Sequence, residues 1–230
     1  MGFLHPGFSE EMIECLKGRV RTSMGIPGPL AVSHDLEGMV TEAVDTFNQV
    51  SRSRAIYTTM PVISRTSSEI LTRTGSISSP RFARLASRST GDLSIVFMVA
   101  TLGEHASSLA QEQKTLLSSL VYDTMLSEAV ELAADTIEDA LHREMRMHGL
   151  EMTSRFSPGY CDWPLDGQRV IFKSVDAATI GVELNEYCVM VPEKSLSCIF
   201  LAGSTIPCPT PCSFCSKENC PWRRELFSES

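Results

Sequence analysis

The chain lacks several features that would assign it to a protein class at once. None of its apolar runs is long enough to span a bilayer, and no basic and apolar leader follows Met1. Basic side chains are fewer than acidic ones, 20 against 28, and this balance argues against general binding to nucleic acid. We therefore expect a cytoplasmic protein that has neither a membrane nor a nucleic acid as its partner.

Familiar catalytic motifs are also missing. The sequence contains no glycine-rich phosphate loop, no dinucleotide fingerprint, and no Ser-His-Asp or Cys-His arrangement in a recognisable local context. Its five histidines are scattered, and the closest pair, His142 and His148, is spaced so that the two side chains do not share a helix face. Candidate functional residues must therefore be sought in other parts of the sequence.

The hydrophobic pattern predicts a mixture of helices and strands. Residues 10–21, 35–50 and 126–148 repeat apolar positions at helical spacing, and Gly149 suits the end of the last helix. Further predicted elements are short helices over 67–74 and 80–87, and strands over 55–63, 93–100, 169–172, 181–184 and 197–202. Because the order shows no strict βαβ repeat, we predict an α+β domain, a twisted and largely antiparallel sheet with packed helices. This domain is predicted to cover residues 1–203, with a separate tail over 204–230.

The segment after the longest helix reads Arg155-Phe-Ser-Pro-Gly-Tyr160. Pro158 fixes its own φ and Gly159 permits a positive φ, so the backbone is predicted to bend sharply here. An arginine beside such a turn offers a planar fork of donors suited to a carboxylate or a phosphate. The residues alone leave two interpretations open, a structural turn whose arginine forms a surface ion pair, and an anion-binding turn.

This segment resembles the Arg-x-x-Pro-Gly-Tyr motif of the AdoMet-binding activation domain of cobalamin-dependent methionine synthase, which also follows a long helix. Farther on, Leu184-Asn-Glu186, Met190-Val-Pro192 and Ser195-Leu-Ser197 resemble that family's second block in order and spacing. The resemblance extends from about residue 126 to residue 200. It implies the same α+β fold and a site for S-adenosyl-L-methionine (AdoMet).

The resemblance also implies roles for individual residues. Arg155 would pair with the carboxylate of AdoMet, and the backbone near Phe156 would contact the ligand. Gly159 and Tyr160 would shape the turn. Glu186 and Ser197 would support the pocket.

The tail carries a second candidate site, and the family has no equivalent of it. Four cysteines lie within thirteen residues: Cys208, Cys212, Cys215 and Cys220. Prolines and short turns separate them, so their thiolates can converge on one centre. Zinc commonly takes two Cys-x-x-Cys pairs, whereas here only Cys212 and Cys215 have that spacing, which favours a four-iron–four-sulfur cluster over zinc. Disulfides are disfavoured in a reducing compartment.

Together these features predict a reactivation factor for a cobalamin (corrinoid)-dependent methyltransferase, which assists the reductive remethylation of cobalamin with AdoMet. The expected partners are a corrinoid protein or methyltransferase that carries the cobalamin, and an electron donor. Residues 51–90 contain seven arginines and a single acid, which indicates either a solvated face or a docking surface for an acidic partner. The alternative function is a noncatalytic metal-binding scaffold, or an iron–sulfur electron carrier, of a methyltransferase complex.

Overall fold

A computed structural model of the chain describes residues 1–25 and 34–206. The four tail cysteines, and with them the predicted metal centre, lie outside the described residues. The described strands are β1 (Gly2–Leu4), β2 (Arg54–Pro61), β3 (Ser64–Arg65), β4 (Ile70–Thr72), β5 (Gly75–Ile77), β6 (Ser94–Thr101), β7 (Glu151–Met152), β8 (Glu183–Leu184), β9 (Met190–Val191) and β10 (Ser195–Gly203). The described α-helices are α1 (Glu10–Ser23), α2 (His34–Val50), α3 (Pro80–Arg88), α4 (Glu104–Ser108), α5 (Leu116–Met147) and α6 (Gln168–Ser174).

The main sheet is antiparallel and has the strand order β1-β2-β6-β10-β7. β6 lies at its centre, and seven of the eight β6 residues are buried because both faces of the sheet are covered. Helices α1, α2 and α5 pack on one face and enclose the first core, and α3, α6 and the small β3-β4-β5 sheet cover the other face and enclose the second core. The predicted α+β class, with a largely antiparallel sheet and packed helices, is confirmed.

Helix α5 is the longest described helix and leads into the candidate turn. The Thr115 side chain accepts a hydrogen bond from the Ser118 N–H at its start, and Gly149 adopts a positive φ of 70° just beyond its end. The prediction placed the start near residue 126, ten residues too late. The first turns were missed because Leu116, Leu117 and Leu120 are exposed and therefore obscure the one-sided apolar pattern.

Two local predictions were wrong. Residues 67–74 were predicted as a short helix, but β4 and β5 form a hairpin there, with Thr72 Oγ1 donating to the Gly75 carbonyl at 3.0 Å. Residues 169–172 were predicted as a strand, but they lie in α6. A four-residue apolar run does not distinguish a strand from one turn of a buried helix, and here the packing of Val170 and Ile171 onto the second core decides the outcome.

The C-terminal end of the described chain stays attached to the sheet beyond β10. Thr205 bridges to Thr90, and the Ile206 N–H donates to Glu151 Oε2 at 2.7 Å. Ile206 is also buried in the second core. Residues 204–206 therefore pack with the domain, and a boundary directly after Gly203 remains a prediction.

Candidate functional site

The candidate turn runs along the β10 edge of the main sheet. After α5 the chain forms β7, which pairs with Ala202 and Gly203 at the end of β10. The chain then continues beside β10, where Phe156 and Ile199 exchange two backbone hydrogen bonds of 2.9 Å. This pairing fixes the start of the turn on β10, a strand whose nine residues are all buried.

The turn itself has the backbone geometry that its sequence predicts. Gly159 has a φ of +88°, and its N–H donates to the Trp163 carbonyl at 2.8 Å. The Tyr160 N–H donates to the Ser157 carbonyl at 3.3 Å, and Cys161 follows with a φ of +57°. Two consecutive turns of the backbone therefore leave the Tyr160 side chain half exposed at the surface.

The guanidinium of Arg155 is surrounded by carboxylates. Its Nη1 donates to Asp135 Oδ1 and to Glu138 Oε2, each at 2.6 Å, and its Nη2 donates to Glu131 Oε2 at 2.6 Å. Glu138 also accepts the Arg155 backbone N–H at 3.3 Å. The arginine that sequence analysis assigned to a ligand carboxylate is therefore bound by three carboxylates of α5.

These carboxylates determine the electrostatics of the site. Burial lowers the pKa of Arg155, but the attraction of Asp135, Glu138 and Glu131 outweighs it and raises the pKa above its ordinary value. Burial raises the pKa of Asp135, yet Arg155 and Arg19 together hold it below its ordinary range. Arg19 belongs to α1 and donates from Nη2 to Asp135 Oδ2 at 2.7 Å, so the cluster also joins α1 to the turn.

Sequence analysis missed the three acids, although a signal for them was present. Glu131, Asp135 and Glu138 follow the i, i+4, i+7 spacing that places side chains on one face of a helix. Glu138 also lies on the buried side of α5, where an acid requires a partner. This spacing, next to an arginine just after the helix, could have indicated the cluster.

The side chains of Phe156 and of its neighbour Arg155 lie on opposite faces of the main sheet. Its ring stacks between those of Phe82 and Trp163, with centroid distances of 5.2 and 5.5 Å. These rings belong to the core that is covered by α3 and α6, whereas the partners of Arg155 are on α5. Alternation along an extended backbone accounts for the two directions.

The remaining predicted residues are placed in two locations. Ser197 is buried on β10, two residues from Ile199, and by alternation it shares the face of the sheet that Phe156 covers. Glu186 is exposed in the β8–β9 hairpin loop, where its carbonyl accepts a 2.8 Å hydrogen bond from Arg169 Nη2. The structure thus brings Arg155, Phe156, Gly159 and Ser197 to one sheet edge, with the Arg155 guanidinium and the Ser197 side chain on opposite faces of the sheet, and it holds Glu186 on a separate hairpin.

The described residues, 1–25 and 34–206, show neither a metal-binding cluster nor a membrane-spanning helix. No group of three or more His, Cys, Asp or Glu side chains in these residues could hold a metal ion. None of the helices in the same ranges combines the length and the apolar character that a membrane crossing requires.

Comparisons with known proteins support the fold. A crystal structure of the MetH reactivation domain bound to AdoHcy is similar to this chain, with a TM-score of 0.62 and 13% sequence identity. The similarity covers 86% of this chain and 77% of that chain. No protein-family model matches the sequence, and no curated protein matches it either. The chain therefore resembles the methionine synthase reactivation domain in fold, as its motifs predicted.

Proposed function

We propose that this protein binds AdoMet beside the Arg155–Tyr160 turn and assists the reactivation of a cobalamin-dependent methyltransferase. The observation that carries the proposal is the likeness of its fold to a reactivation domain that holds AdoHcy, the demethylated form of AdoMet. The turn supplies what such a ligand needs, a cationic fork, a sharply bent backbone and an exposed aromatic ring.

In this proposal each residue of the turn has a separate task. Arg155 pairs with the ligand carboxylate, and the backbone at Phe156 contacts the ligand while its ring anchors the turn in the core. Gly159 allows the bend, and Tyr160 offers its exposed ring to the adenosyl group. Ser197 and Glu186 support the pocket from β10 and from the β8–β9 hairpin.

Calorimetric titration with AdoMet and with S-adenosylhomocysteine tests the binding. Wild type should bind both, and Tyr160→Ala should weaken each by about 1 kcal/mol through loss of ring contact. Phe3→Ala is the matched control, because Phe3 is 50% exposed against 52% for Tyr160 and lies on β1, the opposite edge of the sheet. Absence of heat with both ligands in wild type would refute AdoMet binding.

The proposed partner is a corrinoid protein or methyltransferase that carries the cobalamin. On such a partner a one-electron donor would return oxidised cobalt(II) to cobalt(I), and cobalt(I) would supply the electron pair that takes the methyl group from AdoMet, leaving S-adenosylhomocysteine. Exposed arginines at positions 65, 73 and 84 lie near the β3-β4-β5 sheet and α3, and they would attract an acidic donor. We expect the visible spectrum of a cobalt(II) corrinoid protein to change when this chain, AdoMet and a chemical reductant are added together, but not when AdoMet is omitted.

The tail is proposed to bind one metal centre through Cys208, Cys212, Cys215 and Cys220. The support comes from the spacing of these cysteines in the sequence, which favours a four-iron–four-sulfur cluster over zinc. A redox-active cluster would let the chain deliver electrons itself. With a redox-inactive metal the chain would instead suit the alternative function, a noncatalytic scaffold of a methyltransferase complex.

Metal analysis of anaerobically purified protein tests this assignment. Iron and sulfide with blue absorption that dithionite bleaches would support a cluster, and zinc alone would support the scaffold. Changing Cys212 and Cys215 to Ser should remove the metal, whereas changing the exposed Cys15 and Cys161 to Ser should retain it. Wild-type protein with neither iron nor zinc would refute both assignments.

A further inference from the structure

The three carboxylates around Arg155 differ in how deeply they are buried. The side chain of Arg155 is 9% exposed and that of Glu138 is 8% exposed, whereas Glu131 is 42% exposed. Asp135 and Glu138 both accept from Nη1, and Glu131 accepts from Nη2. Nη2 is therefore the side of the guanidinium that is covered by the most solvent-exposed of the three acids.

We propose that Glu131 is a placeholder for the carboxylate of an adenosyl amino-acid ligand. Its carboxylate accepts from Arg155 Nη2 in the free protein, and the ligand carboxylate takes that position when it binds. This inference rests on the proposed function and names a residue that controls ligand affinity and specificity. Glu131 is the acid that is released most readily, because an exposed ion pair contributes little and its carboxylate regains hydration in water. Asp135 and Glu138 continue to hold Nη1, so the guanidinium keeps its orientation.

The charge balance of the cluster also favours an exchange. Three carboxylates face two guanidiniums, those of Arg155 and Arg19, so the cluster already carries one negative charge in excess. A ligand carboxylate that simply added to the cluster would double that excess in a partly buried place. Exchange with Glu131 keeps the number of carboxylates on the guanidiniums at three, and it favours ligands that retain the amino-acid carboxylate.

The test compares two ligands on the full-length chain. S-Adenosylhomocysteine carries the carboxylate, and 5′-methylthioadenosine has the same adenosine and a thioether but no carboxylate. Glu131→Gln replaces the competing ion pair with a weaker hydrogen bond from the guanidinium to a neutral amide, so it should tighten S-adenosylhomocysteine about three- to tenfold and leave methylthioadenosine unchanged. Glu128→Gln is the matched control, since Glu128 lies on the same helix with the same charge but bonds to Ser23 on α1. It should leave both affinities unchanged.

The outcomes separate this inference from the proposed function. If wild type binds S-adenosylhomocysteine and Glu131→Gln binds it equally or more weakly, the placeholder is refuted while the proposed function stands. Equal tightening of methylthioadenosine, or of the Glu128→Gln control, would refute it as well, because the effect would then not depend on a ligand carboxylate at Nη2. If neither wild type nor Glu131→Gln binds S-adenosylhomocysteine, both the inference and the proposed function fail. Binding by Glu131→Gln alone would refute ligand binding by the wild-type protein, and the inference, which rests on it, would fail as well.

Discussion

Gly167 lies against the indole ring of Trp163, which belongs to the aromatic stack beneath the candidate turn. A Cβ at this position would lie 2.2 Å from Trp163 Nε1 and 2.5 Å from its Cε2. The backbone φ of −56° is one that any residue adopts, so the constraint is purely steric. The glycine is therefore required by packing rather than by backbone conformation.

We predict that Gly167→Ala destabilises the protein by about 1–3 kcal/mol, because the indole ring or α6 must shift to admit the methyl group. The measurement is urea unfolding followed by circular dichroism. Gly38→Ala is the control, since Gly38 lies within α2 and a Cβ there meets nothing within 4 Å. It should stabilise by about 0.5–1 kcal/mol through helix propensity. An unchanged free energy of unfolding for Gly167→Ala would contradict the steric account.

His142 is predicted to make stability depend on pH. Burial lowers the pKa of His142, and Arg146 lowers it further, against the opposing effect of Glu138 and Asp139. The folded-state pKa therefore lies below the value of about 6.5 expected in the unfolded chain. The unfolded chain takes up the proton first as the pH falls, so the stability contribution is present above about pH 6.5 and is lost below it.

The free energy of unfolding should thus decrease between pH 7.5 and pH 5.5 in wild type, and the decrease should be smaller in His142→Gln. His105→Gln is the control, because His105 is exposed on α4 and its change should leave the decrease as in wild type. Identical pH profiles for wild type and His142→Gln would contradict the assignment.

At the scale of elements, α5 has three separate tasks. One face supplies the core beneath the sheet, a second supplies the carboxylates that hold Arg155, and the C-terminal end directs the chain into β7. The core face was predicted from the sequence, because apolar residues at helical spacing indicate the buried face of a helix. The carboxylate face was not predicted, because an acidic stripe on a helix ordinarily faces water and its partner was unknown.

We predict that Ile137→Asp costs about 3–5 kcal/mol, since Ile137 is 2% exposed and the variant buries an acid in place of a packed side chain. Leu116→Asp tests the same change on the same helix where the residue is 89% exposed, and it should change stability by less than about 0.5 kcal/mol. Thermal unfolding checks both. Similar losses in the two variants would show that the effect does not come from burial.

At the scale of the whole molecule, the five-stranded sheet joins the two ends of the described chain. β1 forms one edge, and residues 204–206 close the far end of β10 through Thr205 and Ile206. The C-terminal residues of the domain thus contribute to its core, although the sequence shows only a short polar break after Gly203.

A chain that ends at Ile206 should therefore unfold with nearly the wild-type free energy, whereas a chain that ends at Gly203 should be less stable by about 1.5–3 kcal/mol. The difference is the burial of the Ile206 side chain, with the hydrogen bond to Glu151 in addition. Chemical unfolding of the two shortened chains beside the full chain provides the comparison. Equal stability of both would place the domain boundary at Gly203, as first predicted.

The sequence by itself determined the class of the fold, the long helix, the central strands and the bend at Gly159. These features depend on the local spacing of apolar residues and on the conformations that proline and glycine allow, which act along one element. The motifs around Arg155 and Ser197 also indicated the right architecture at only 13% identity.

Only the tertiary structure decided what Arg155 contacts and what residues 169–172 become. The guanidinium meets Glu131, Asp135 and Glu138 because β7 returns the chain alongside α5, which is a long-range arrangement that no local pattern encodes. The four residues in α6 fit either a strand or a helix by their spacing, and burial of Val170 and Ile171 against the second core selected the helix. Local sequence thus limits each element's conformation, whereas packing between distant elements decides which charges meet.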